Sequence, residues 1–327
     1  MLICKTPFRV SFFGGGSDFP DWFMHHGGSV LSTTIDKFSY VMFRKLPEIH
    51  KYKSRIVYNI IETVKSNKNI KHPSIGPILE YYKINHGIEL MYYGDLPSQT
   101  GLGSSSAFTV SLINLINAYT KKKSTKKMVA TDAIKIEQEI LKENVGCQDQ
   151  VIAAYGGLNQ INFFGKNEFN IKKIQLSNSK IQKLQSNLYI FFTGISRLSG
   201  KIEKDKIKNI KSKEFEINKI MEFVGDGINI LNGNEKYFSD FGSLLEESWI
   251  LKKKLSNYVS NNKLDSLYQL AKDCGAVGGK LLGAGGGGFF LFYCTEYTKN
   301  KILKKSNKLK AFPLQFEKEG SKIIFSN

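Results

Sequence analysis

Runs dominated by Val, Ile, Phe, Tyr and Thr fill the first hundred residues, the composition preferred by pleated, half-buried strands. "CKTPFRVSFFGG", "GSVLSTTIDKFSYVMFRKL", "SRIVYNI" and "GIELMYYGDLP" read as strands, with "SIGPILEYYKIN" as a short helix among them. Further on, "FTVSLINLINAYT" reads as a helix. In "ATDAIKIEQEILKENVG" the apolar Ala133, Ile134, Ile136, Ile140 and Leu141 recur near helical spacing. "CQDQVIAAYGG" adds a turn or two of helix ended by Gly156 and Gly157, and "LNQINFF" and "FNIKKIQL" read as strands.

Around residues 165 to 187 the pattern turns polar, and "SNSKIQKLQSN" reads as a connection. Strand "LYIFFTG" follows, then a Lys-rich helical tract from 200 to 232 and helices over 235–259 and 263–280. A glycine loop and strand in "GAGGGGFFLFYC" and two strands in "KLKAFPLQFEKEGSKIIFS" complete the pattern. Strands mixed with helices, followed by a helix-rich region with its own sheet, predict the α+β class. The expected division is a first lobe over residues 1–170 and a second over 171–327.

Composition narrows the function. A chain of 327 residues, 41% apolar, buries a large core. It has no run of about 18 apolar residues, so no membrane span is expected. Its first residues lack the long apolar stretch and small-residue cleavage site of a signal peptide and read as a first strand. Cys4, Cys147, Cys274 and Cys294 are scattered without a C-x-x-C pair, which argues against a zinc site or disulfide framework and for a reduced cytoplasmic setting. The net charge of +18 raises the question of a nucleic-acid partner. However, only Arg9, Arg44, Arg55 and Arg197 are arginines, and base readers lean on the planar arginine fork. The lysines cluster in "TKKKSTKK", "KIEKDKIKNIKSK" and "LKKKL", which read as solvated faces that attract anionic substrates. No nucleic-acid partner and no membrane are expected, and monomer and homodimer stay open.

Glycines fall in three clusters: Gly14-Gly15-Gly16, Gly101-x-Gly103 and Gly283-x-Gly285-Gly286-Gly287-Gly288. The middle one, in "PSQTGLGSSSAF", opens a helix. Unpaired amides and the positive helix end therefore point at whatever fills the loop, and phosphate suits that place. Ser104, Ser105 and Ser106 add hydroxyls there. It is not a Walker A loop, which needs Lys-Ser/Thr after its second glycine. The late cluster contains G-x-G-x-x-G, but in the order helix, glycines, strand, which opposes a dinucleotide fingerprint and suggests close packing against the middle loop.

Three stretches in this order, "TPFRVSFFGGGSDFPDW", "PSQTGLGSSSA" and "LLGAGGGGFF", resemble the motifs of the GHMP kinase superfamily, and the resemblance spans nearly the whole chain. "FGGGSDFPDWFMHHGGSVLSTTIDKFSYV", "GCQDQVIAAYGGLNQINF" and "FFTGISRLSG" look like the bacterial D-glycero-D-manno-heptose 7-phosphate kinases, which phosphorylate the anomeric hydroxyl. The resemblance implies a two-lobed fold, with a first lobe like ribosomal protein S5 domain 2 and a ferredoxin-like second lobe. ATP would bind between them, with Mg²⁺ across its phosphates.

The resemblance also implies roles. Asp149 would receive or orient the proton of the attacking hydroxyl, and Arg9 would pair with it and neutralise charge on the transferred phosphoryl group. Pro97, Gly101, Leu102, Gly103, Ser104, Ser105 and Ser106 would hold the nucleotide. Ser105 and Glu137 would face the metal, with Glu139 as the alternative carboxylate. Asp18 would bind sugar hydroxyls beside Gly15 and Gly16, with Gly156 and Gly157 approaching the sugar by backbone. Arg197 would take the substrate's own phosphate, ahead of Lys37, His25 and His26. Gly285 and Gly286 would close the site, with Lys280 reaching a phosphate or ending a helix.

Overall fold

The computed structural model describes residues 1–195, 200–306 and 309–327. The first half of the chain runs β1 (Leu2–Phe13), α1 (Pro20–His26), β2 (Gly28–Lys45), β3 (Ser54–Val57), β4 (Ile61–Val64), α2 (Ile75–Tyr81), β5 (Ile88–Gly94), α3 (Ser104–Tyr119), α4 (Lys126–Lys135), α5 (Gln148–Tyr155), β6 (Leu158–Gly165) and β7 (Glu168–Lys173). The second half runs α6 (Asn178–Gln185), β8 (Leu188–Phe192), α7 (Gly200–Asn209), α8 (Glu214–Asn232), α9 (Phe238–Lys254), α10 (Asn262–Asp273), β9 (Gly278–Leu281), β10 (Phe289–Tyr293), α11 (Glu296–Lys305), β11 (Lys310–Pro313), β12 (Phe316–Glu317) and β13 (Lys322–Ser326).

Two sheets carry the fold, which is α+β and two-lobed as expected. The larger has nine strands, with β13-β1-β2-β5-β3-β4 as its path and β6, β7 and β12 attached through β2. The 18-residue β2 is its spine and pairs with β1, β5, β6 and β12. The smaller sheet has the order β11-β8-β10-β9. Counted along the chain that is fourth, first, third, second strand, all antiparallel, which is the ferredoxin-like arrangement. One apolar cluster joins the sheets: Phe8, Val10, Phe12 and Phe13 of β1 pack with Phe223, Phe238 and Phe241 and with Leu188, Ile190, Phe289 and Leu291 of the smaller sheet. Phe241 meets both Phe12 and Phe13 edge-on, with ring centres 5.2 and 5.1 Å away. The strand that carries Arg9 is thereby fixed to both lobes.

Several elements differ from the sequence pattern. "SNSKIQKLQSN" contains α6, a helix capped by the Ser177 hydroxyl that buries only Leu184. The helix expected over 263–280 stops at Asp273, and residues 278–281 form β9. The helix expected over 130–146 begins at Lys126 and widens after Lys135 into a π-helical turn over Ile136–Ile140. α1, β4 and α11 are additional, and the final tract holds three short strands instead of two. The last two of these leave the smaller sheet and join the larger one, β12 on β2 and β13 on β1. A cut at residue 170 therefore does not yield two contiguous lobes.

Candidate active site

The site forms where β1, the loop before α3 and the start of α5 converge. Gly101 and Gly103 hold left-handed φ values of 85° and 72°, which lets the loop turn sharply into α3. The first backbone bond of the helix runs from the Ala107 amide to the Gly103 carbonyl, so the amides of Ser104, Ser105 and Ser106 precede it. Arg9 holds this loop by its backbone and its side chain. Its amide donates to the Leu102 carbonyl at 3.0 Å and its Nη1 donates to the Gly101 carbonyl at 2.6 Å. The remaining two guanidinium donors grip Asp149 bidentately, Nε to Oδ1 at 2.6 Å and Nη2 to Oδ2 at 2.5 Å. A side chain on Gly103 would press on this pair, at 3.0 Å from Arg9 Cγ and 3.3 Å from Asp149 Oδ2.

Asp149 is the middle residue of "QDQ" in the first turn of α5. Successive helical residues point about 100° apart, and all three are used. Gln148 Nε2 donates to Asp18 Oδ2 at 3.0 Å, Asp149 takes Arg9, and Gln150 Nε2 donates to Glu137 Oε2 at 2.5 Å. Gln148 and Gln150 were not singled out from the sequence. Their flanking positions beside Asp149 were the available signal.

Asp18 is 2% exposed and ties the first glycine turn to α5. It also accepts from the Gly16 amide at 3.0 Å. Burial, joined by the charges of Asp149 and Glu203, pushes its pKa up to about 6. The sign of the linkage follows. Below the unfolded value both states are protonated. Between that value and about 6 the folded state binds more proton, so stability falls as pH rises through this window. Asp18→Asn is expected to flatten the dependence of melting temperature on pH between 4 and 6. An unchanged slope would show that Asp18 does not titrate in the fold.

Glu137 is fully buried in the π-helical turn. Its Oε2 accepts from Ser106 Oγ at 2.9 Å as well as from Gln150. Its Oε1 has no hydrogen-bond partner among the described residues, and the Thr109 hydroxyl lies close to the carboxyl group. Burial, assisted by Glu143, pushes the carboxyl up to about 8. Glu139 points away to the surface and pairs with Lys166 at 3.2 Å, which separates the two glutamates. Ser106, not Ser105, is the serine bonded to Glu137. Ser105 is exposed at the helix start, and its hydroxyl makes no hydrogen bond among the described residues. No group of three or more His, Cys, Asp or Glu side chains suited to a metal occurs among the described residues. The donor set therefore fits a cation held chiefly by phosphates and water, with an orphaned carboxylate oxygen and a free hydroxyl from the protein.

The late glycine cluster packs on the middle one. A Cβ on Gly283 would collide with Gly101, and one on Gly288 with the Thr100 carbonyl, which accepts from the Phe289 amide at 3.2 Å. Gly285 and Gly286 are engaged by Val259, whose carbonyl accepts from the Gly286 amide at 2.7 Å. In this structure they pack against the Val259 backbone, beside the contact of the late loop with the middle one. Gly156 and Gly157 lie at the opposite end of α5 from Asp149. A Cβ on Gly156 would strike the Glu319–Gly320 backbone, and the Gly157 amide donates to Thr34 Oγ1 at 2.7 Å. Their glycine character lets the returning C-terminal segment pack closely against them. The Leu102 side chain is buried in the core, so it anchors the loop, and Pro97 is exposed with its carbonyl accepting from Thr100 Oγ1.

Lys280 lies on β9, not at a helix end. It is buried, donates from Nζ to the Phe12 carbonyl at 2.6 Å, and is pushed down to about 7 by burial with Lys206 and Arg9 nearby. Lys37 pairs with Asp36, His26 stacks on Trp22, and both His25 and His26 are exposed. Arg197 lies outside the described residues.

Comparison with known proteins gives a consistent picture. Residues 60–157 match the family model for the GHMP kinases N terminal domain and residues 234–309 that for GHMP kinases C terminal. The D-glycero-alpha-D-manno-heptose 7-phosphate kinase of Campylobacter jejuni is 28% identical over 97% of both chains. The mevalonate kinase of Methanocaldococcus jannaschii is 24% identical over 94% of this chain and 96% of that protein. Among solved structures, a D-glycero-D-manno-heptose 1-phosphate kinase from Bacteroides thetaiotaomicron superposes with a TM-score of 0.79 at 22% identity, covering all of both chains. No helix among the described residues is long and apolar enough to cross a membrane.

Proposed function

We propose, for a chain that belongs to the GHMP kinase superfamily and is an ATP-dependent phosphotransferase with an alcohol acceptor, that the acceptor is the anomeric hydroxyl of D-glycero-D-manno-heptose 7-phosphate and the product the 1,7-bisphosphate. The Arg9–Asp149 pair, set beneath the amides that open α3, carries this reading.

Asp149 takes the proton from the attacking hydroxyl as the new O–P bond forms and the bond to ADP breaks. Arg9 stays on the carboxylate and on the Gly101 carbonyl, which keeps base and phosphate loop in register and places a fixed positive charge where the transferred group gains negative charge. The amides of Ser104, Ser105 and Ser106 receive phosphate oxygens at the positive end of a 16-residue helix. Asp18 accepts from sugar hydroxyls, held in place by Gln148. Glu137 and Ser105 would hold Mg²⁺, which when bound neutralises phosphate charge. Most of the rate enhancement comes from positioning and charge stabilisation, with no covalent enzyme intermediate.

The test is ADP release with Mg-ATP across a panel of heptose 7-phosphate, mannose 6-phosphate, mannose, fucose and galactose. Turnover confined to the heptose phosphate is the expected result. Turnover on a free sugar would make the protein a different sugar kinase of the superfamily and remove the phosphorylated acceptor.

A further inference from the structure

The turn that carries Gly16 has a second neighbour besides α5. A Cβ built on Gly16 would lie 3.7 Å from Leu255 Cδ1, just beyond the end of α9. Gly16, Phe19 and Leu255 enclose a narrow hollow together with Lys206 and Lys213. On the other side of Leu255 and Lys213 opens a groove of about 390 Å³, between the end of α7 and the loop that follows α9. The groove is thus one side chain away from the turn that abuts Gln148.

The walls of this groove suit an anion. Lys213 precedes α8 and Lys254 ends α9, so two cations from separate elements line one concavity with Asn209, Ser212 and Ser256 as neutral polar neighbours. Asp205, its one acid, accepts from Asn209 Nδ2 at 3.4 Å. Nearby lysines are paired, Lys206 with Glu203 and Lys253 with Asp265. Among the described residues Lys213 and Lys254 have no carboxylate partner. Two unneutralised ammonium groups facing one concavity repel each other until an anion joins them. The groove lies on the Gly16 side of the site and not beside Ser104–Ser106, so the anion it fits belongs to the acceptor, not to the nucleotide.

We infer that Lys213 and Lys254 bind the phosphate the sugar already carries, at the end far from the hydroxyl that reacts. This rests on the reading of a phosphorylated acceptor. The subsite selects for a phosphomonoester by charge and fixes the sugar at both ends, which aligns the anomeric hydroxyl on Asp149.

The experiment compares kcat/KM for heptose 7-phosphate with that for the same heptose lacking its phosphate, in the wild type and in the Lys213→Gln/Lys254→Gln double variant. The wild type is expected to prefer the phosphorylated sugar. The double variant should reduce that preference roughly 30- to 300-fold, mostly through KM, because two charge-assisted contacts are lost. A double variant that keeps the full preference overturns the groove while the phosphorylated-acceptor reading stands. A wild type that uses both sugars equally, or neither, overturns that reading and the groove with it.

Discussion

Asp149→Asn is expected to lower the rate of phosphoryl transfer about 10²–10⁴-fold, the range lost with a positioned general base, while Mg-ATP still binds. The substitution keeps the shape of the side chain but replaces one acceptor oxygen with a donor. That NH₂ group then faces the Arg9 guanidinium, which donates to both oxygens in the native pair. Arg9 is only 6% exposed, so a partly unpaired cation also lowers stability. Two readouts keep the effects apart. Single-turnover transfer reports the chemistry, and calorimetric binding of nucleotide reports whether the loop before α3 is intact. Transfer within tenfold of wild type, with nucleotide binding preserved, would remove Asp149 from the proton transfer.

The second large effect concerns the packing of one glycine loop on the other. Gly288→Ala is expected to destabilise the fold by roughly 3–5 kcal/mol, the range of the more severe single substitutions. Two causes add. The residue has φ +96°, a conformation that costs an L side chain about 1–2 kcal/mol, and its Cβ would collide with the Thr100 carbonyl, a backbone atom that cannot rotate away. Gly194→Ala isolates the first cause. Gly194 has φ +71° and nothing within 4 Å of its built Cβ. Thermal melts of the two variants should therefore differ by several degrees, with Gly288→Ala lower. Equal melting temperatures would mean that the loops can separate without loss.

The strands of the first lobe were legible because their apolar and β-branched runs are long and ended by turn residues. Helices α6 and α11 were not, because both are short and mostly solvated: α6 buries Leu184 alone, and α11 only Thr298 and Ile302. The end of α10 was misplaced, with the helix expected to run to residue 280 through Gly278 and Gly279. They are strand residues that need to be glycine, since Cβ atoms there would strike the Gly242 and Leu291 carbonyls. Within the site, local spacing located the glycine- and serine-rich loop that opens α3, and motif resemblance suggested Arg9 and Asp149. The bond between Ser106 and Glu137 was not visible, because it depends on a π-helical turn that re-aims the carboxylate. The packing of residues 319–320 against Gly156 was not visible either, because nothing local shows that the C-terminal segment returns there.

That return has a consequence for assembly. Leu2 pairs with Phe43 on one side and with Ser326 on the other, and the carbonyls of residues 1 and 327 each accept from the other's nitrogen. During synthesis β1 can dock on β2 early, yet its outer edge stays open until the ribosome has delivered about 280 further residues, the interval from Lys45 at the end of β2 to β13. An unpaired edge is a template for pairing with another chain, and closing so long a loop is slow. The vulnerable species is therefore the nascent first lobe with β1 exposed, and the late-emerging β13 is the strand that seals it.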